Sequence, residues 1–130
     1  RHRDLLESFE RAIRTDDMAE FAAFLSRDVR LTDDSGGKVP SVGALCGSED
    51  VLAFLAKARA WWPHYVWRLV DLAQSRGFLM SDGDAPVVLV WFASTDGHAV
   101  SDIFVLRNPD KLVAFVRHLG APANGVDTPA

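Results

Sequence analysis

Leu5, Leu6, Phe9, Ala12 and Ile13 recur three and four positions apart, the spacing of one helical face over residues 3–14. Thr15, Asp16 and Asp17 interrupt that face and offer a new cap. Met18, Phe21, Ala22 and Leu25 then predict a short second helix ending near Arg27. Residues 29–33 alternate apolar and polar and predict a strand. The glycines and proline of residues 34–40 predict a loop. A third helix follows, with Ser48 as its cap and Glu49 and Asp50 in its first turn. Its buried face is Val51, Leu52, Phe54, Leu55 and Ala58, and Trp61-Trp62-Pro63 closes it.

The second half carries the period of strands. Residues 64–73 and 77–81 predict two strands, with a hairpin turn at Asp82-Gly83-Asp84. Residues 86–94 are apolar almost throughout, which predicts a strand buried on both faces. Asp96-Gly97 makes another turn, and residues 99–107 predict the last strand. Arg107-Asn108-Pro109-Asp110-Lys111-Leu112 is then a strand-to-helix corner. Asn108 can cap the helix, Pro109 suits its first position, and Asp110 lies near the positive end of the helix dipole. Leu112, Val113, Phe115, Val116 and Leu119 continue at helical spacing, and Gly120 and Pro122 supply the stop. This local account explains the corner except for Lys111.

The order predicts one α+β domain over residues 1–120 with a flexible tail at 121–130. A curved antiparallel sheet wrapped around three helices, with a short C-terminal helix, would bury both apolar faces. Such a cone leaves a cavity between sheet and helices, a natural small-molecule pocket.

Hydrophobic residues make up 48% of the 130, enough for a core and against disorder away from the ends. No apolar run reaches the roughly 18–20 residues needed to span a bilayer. No charged-then-apolar leader opens the chain, so the expectation is a cytoplasmic protein without membrane contact. The lone Cys46 agrees with a reducing compartment. A net charge of −4 without a Lys/Arg cluster argues against direct nucleic-acid binding. The chain opens at Arg1 straight into a helical pattern, as a piece of a longer protein would.

Chemistry is sparse. His2, His64, His98 and His118 lack the paired spacing of a metal site, and the glycine loop lacks the spacing of a phosphate cradle, so neither metal nor cofactor is expected. Cys46 reads as a small core residue more readily than as a catalytic thiol. Asp33, Asp71 and Asp102 lie in or at the ends of strands and are the acid–base candidates, with His64, Tyr65 and Arg68 as partners on one strand. Asp102 interrupts an apolar alternation, which points it inward. The competing reading has such aspartates facing water or capping turns. Trp61, Tyr65, Trp67 and Trp91 are candidates for lining a pocket for a small hydrophobic ligand, against a purely core role.

Asp34-Ser35-Gly36-Gly37-Lys38-Val39 resembles an Asp-Gly-Gly-Gly-Lys loop, with Ser35 in place of one glycine. Asn108-Pro109-Asp110-Lys111-Leu112 resembles an Asn-Pro-Asp-Lys-Leu corner. Together, over about residues 4–119, they resemble the SnoaL-like C-terminal extension of bacterial extracytoplasmic-function sigma factors. The resemblance implies a fold like those of nuclear transport factor 2 and ketosteroid isomerase. It also implies a non-enzymatic regulatory role, with the sigma regions of the same polypeptide and the RNA polymerase core as partners. Asp34, Gly36, Gly37 and Lys38 would form a loop near the pocket mouth, and Asn108, Pro109, Asp110, Lys111 and Leu112 a regulatory corner. Lys111 would then meet an acidic partner on a sigma region or within the corner. The alternative is a stand-alone binding protein or an enzyme of polyketide-cyclase, isomerase or epoxide-hydrolase type, and a homodimerisation module is a third reading.

Overall fold

The computed structural model describes residues 2–37 and 43–120. The expected tail at 121–130 and Lys38 lie outside the described residues. Helix α1 (His2–Thr15) is followed by α2 (Met18–Ala22), strand β1 (Leu25–Asp34) and a short β2 (Ala44–Cys46). Helix α3 (Ser48–Ala58) leads through a single 3-10 turn (Trp62–His64) into β3 (Val66–Leu72), β4 (Ser75–Asp82), β5 (Ala85–Ala93) and β6 (Val100–Leu106). Helix α4 (Pro109–Gly120) ends the described chain.

The six strands form one sheet in the order β2-β1-β6-β5-β4-β3. The meander from β3 to β6 is antiparallel, as predicted, but β1 pairs β6 in parallel, with Leu31 opposite Ile103 and Asp33 opposite Val105. The sheet is therefore mixed rather than antiparallel throughout. Alternation along one strand sets which face is buried. It carries no information on a neighbour's direction, which here depends on the helix-bearing connection between β1 and the meander.

Three boundaries differ from the sequence reading. Phe24 turns back onto the Phe21 carbonyl and Leu25 starts β1, so the second helix is shorter than its apolar spacing suggested. Strand β2, at three residues, is too short to show a period. Helix α3 is preceded by Gly47 at φ 97°, and no side chain caps it; Ser48 is its first residue.

Alternation builds two cores. Val88, Val90 and Phe92 of β5, with Ile103 and Val105 of β6, face α1–α3. Leu89 of β5, with Val70 and Leu79, faces the opposite side, where Leu112 and Phe115 of α4 cover it. That is the two-sided burial expected of the apolar strand 86–94. Phe9 sits at the centre of the first core, its ring 5.1 to 6.4 Å from those of Phe21, Trp62, Trp67, Phe78 and Phe92. The space between sheet and helices, expected to be a cavity, is filled at its centre by these aromatic rings.

Candidate functional site

The two motifs meet. Strand β1 ends at Asp34 and β6 ends at Leu106. Because these strands run parallel with Asp34 opposite Leu106, the segments leaving both emerge at the same end of the sheet. The backbone N–H of Arg107 donates to the Asp34 carbonyl at 2.7 Å, which ties the exits together.

The glycine loop starts with two side-chain turns. Asp34 Oδ1 accepts from the Gly36 N–H at 3.0 Å, and Ser35 Oγ from the Gly37 N–H at 3.3 Å. Gly36 (φ 67°) has its α-carbon against the Asn108 side chain: a β-carbon there would lie 2.5 Å from Asn108 Cγ. Asn108 Oδ1 in turn accepts from the Asp110 N–H at 3.1 Å, the helix cap predicted from sequence. A glycine is thus required at position 36 both for its positive φ and for its close approach to the cap.

Lys111, unexplained by the helix, donates from Nζ to Asp34 Oδ2 at 2.7 Å. Its acidic partner lies in the other motif. The Lys111 hydrogen bond is the main influence holding the Asp34 carboxyl below its ordinary value. Desolvation opposes it, while the Gly36 N–H and the Lys111 charge add to it.

Beneath this exposed pair lies a buried one. Asp33 follows Val29 and Leu31 on the inward face of β1 and is buried. Arg107 Nε donates to Asp33 Oδ1 at 2.8 Å and Nη2 to Oδ2 at 2.5 Å, a bidentate fork. The hydrogen bond to Asp33 is the main reason the guanidinium holds its proton more tightly than usual, against the cost of desolvation.

The three acid–base candidates separate. Asp71 pairs with Arg76 on the surface and its side chain is 85% exposed. Asp102 points to the outer face rather than inward, where Arg30 Nη2 stands 3.2 Å away. Asp33 is inward, but both its oxygens are engaged by Arg107. His64 and Arg68, their suggested partners, are exposed and share no ion pair or hydrogen bond with any of the three among the described residues. Cys46 is exposed on the edge strand rather than in the core.

The expected pocket aromatics also separate. Trp67 packs into the core, its indole N–H donating to the Trp62 carbonyl at 2.8 Å and its ring 4.8 Å beneath the Arg14 guanidinium. Trp91 lies on the outer face, stacked on Phe104 at 5.1 Å. Trp61 and Tyr65 border a cleft beside the corner, with Pro86, Val87, Arg107 and Pro109. Arg107 is the functional residue that the sequence reading left out of the site. The available signal was the parity of Asp33: a carboxylate in phase with Val29 and Leu31 is buried and needs a cation.

Comparison with family models and with curated proteins finds no match. Solved structures do match. The extracytoplasmic function sigma factor SigJ of Mycobacterium tuberculosis superposes with a TM-score of 0.67 at 24% identity, over 85% of this chain and 43% of that one. An NTF2-like protein of unknown function from Cytophaga hutchinsonii gives 0.57 at 13% identity, over 87% and 95%. A SnoaL-like protein of unknown function from Burkholderia thailandensis gives 0.53 at 18% identity, over 78% and 92%. The chain spans less than half the length of the sigma factor it matches. Its fold is the SnoaL-like, NTF2-like fold. Among the described residues no helix is long and apolar enough to cross a membrane.

Proposed function

We propose that this domain is a non-enzymatic regulatory module of an extracytoplasmic-function sigma factor, acting on sigma regions of its own polypeptide and through them on RNA polymerase. The observation that carries the reading is the joining of the two motifs. Asp34 and Lys111, from opposite ends of the sequence, form one surface through a 2.7 Å ion pair, with Asn108 and Gly36 packed beneath it. A helix cap alone needs no lysine, and an exposed ion pair adds little to stability. A surface built from two distant segments at the sheet's end is what a docking domain requires. The likeness to SigJ supports the same context, and among the described residues the buried carboxylate, Asp33, is held by Arg107, which favours this reading over the enzyme one.

The test is transcription directed by the full-length sigma factor carrying Lys111→Ala or Asp34→Ala, with the fold checked by circular dichroism. Altered transcription with an unchanged fold is expected. Unchanged transcription in both variants would reduce the corner to a helix cap and remove the regulatory reading.

A further inference from the structure

The fold's aromatic residues fill its centre, and one of the clefts outside it lies beside the corner. At the end of the sheet beside the corner, Trp61, Tyr65, Pro86, Val87, Arg107 and Pro109 border a cleft of about 320 Å³, within the size range of small-molecule sites. Trp61 is 61% exposed, the one large aromatic so exposed among the described residues, while its neighbour Trp62 is buried and fixes the segment to the core. The backbone holds this wall in place: His64 and Tyr65 donate to the carbonyls of Trp61 and Trp62 at 3.0 and 3.1 Å. Arg14 reaches the Pro63 carbonyl from α1 at 3.3 Å. A wall whose backbone is held in this way presents its exposed indole for stacking with little backbone freedom left to lose.

Two residues that border the cleft carry polar handles. Among the described residues the Trp61 indole N–H and the Tyr65 hydroxyl have no hydrogen-bond partner, and Tyr65 stands within electrostatic reach of Arg107. Among the described residues the cations beside the cleft are already paired. Arg107 is paired with Asp33 and Lys111 with Asp34. An anionic ligand would therefore gain nothing there.

We infer that this cleft binds a flat, uncharged, apolar small molecule bearing one hydroxyl or carbonyl, its ring face on Trp61 and its polar group on Tyr65. The site stands outside the packed interior and does not depend on the regulatory reading. Its occupant would touch Pro109 and Leu112 of the first turn of α4, and so would bear on the corner itself.

The experiment is a titration of the 130-residue chain with 2-naphthol, followed through its tryptophan indole N–H signals by nuclear magnetic resonance, with 2-naphthoate as the anionic control. The Trp61 signal should shift saturably while the Trp67 signal, held on the Trp62 carbonyl, and the Trp91 signal stay in place. Trp61→Ala should weaken binding at least tenfold and Tyr65→Phe about threefold, and 2-naphthoate should bind no more tightly than 2-naphthol. Trp61 is exposed, so its loss leaves the fold intact, which the remaining indole signals verify. Equal affinity in Trp61→Ala, a response centred on Trp91, or no saturation up to the solubility of the probe overturns the assignment.

Discussion

Arg107 grips Asp33 with two parallel hydrogen bonds, the carboxylate fully enclosed and the guanidinium 26% exposed. One member ends the inward face of the first strand and the other follows the last, so a single pair fastens the two strands together at one end of the parallel ladder.

Removing Arg107 takes from the enclosed Asp33 carboxylate the cation that engages both its oxygens. Arg107→Ala should destabilise the domain by about 3–5 kcal/mol, read as a lowered urea midpoint. Replacing both members together with apolar residues of similar volume should cost much less, because no charge is left stranded. If the single and double variants unfold alike, the pair contributes packing rather than charge balance.

Asp34 responds to pH differently. Its carboxyl is depressed in the folded state, chiefly by the Lys111 hydrogen bond, so its contribution is present above the ordinary aspartate value of 3.8. The contribution is lost as pH falls through the lower folded value. Lys111→Ala should move the Asp34 titration, followed by carbon-13 chemical shift, back up towards 3.8 and flatten the acid limb of stability. The neutral-pH midpoint should barely change, since the pair is exposed.

Gly36 and Gly37 both have positive φ, at 67° and 75°, but only Gly36 faces a neighbour that a β-carbon would strike. Gly37→Ala should cost about 1–2 kcal/mol, the left-handed penalty alone. Gly36→Ala should cost more and should also displace the Asn108 cap, which adds about 1 kcal/mol. Amide exchange in the first turn of α4 separates the two, rising in Gly36→Ala and staying level in Gly37→Ala.

Phe9 and Trp61 test the division between filled centre and open cleft. Phe9→Ala should cost about 3–5 kcal/mol by emptying the middle of an aromatic cluster. Trp61→Ala should stay within about 0.5 kcal/mol, as exposed substitutions do. Thermal unfolding of the two variants side by side checks the contrast.

The elements with several turns or pleats were readable from their periods. The face of α1, the two-sided β5 and the Asn108-Pro109 start of α4 all follow from local rules, and the structure places each accordingly. What local rules could not supply was pairing. The direction of β1 against β6, the meeting of Asp34 with Lys111 and the fork from Arg107 to Asp33 are all long-range. No spacing within a strand encodes them. The scattering of Trp61, Trp67 and Trp91 has the same origin: aromatic content marks what will be buried or bound, and only the topology decides which. The burial of Asp33 was legible from its phase with Val29 and Leu31, whereas Asp102, in phase with the outward Phe104, was misplaced because neighbouring apolar residues masked the alternation.

Strand β6 lies between β1 and β5, with Leu31 on one flank and Phe92 on the other opposite the same Ile103. During synthesis the first strand and its helices emerge early, yet their partner strand is nearly the last to leave the ribosome. Until it does, β1 keeps an open edge along most of its length. Closing that gap joins residues far apart in the chain, a contact of the kind that slows folding. The domain therefore assembles late and as a whole: a nascent chain that stops before β6 has its first three helices and the β3–β5 hairpins, but no strand to join β1 to them.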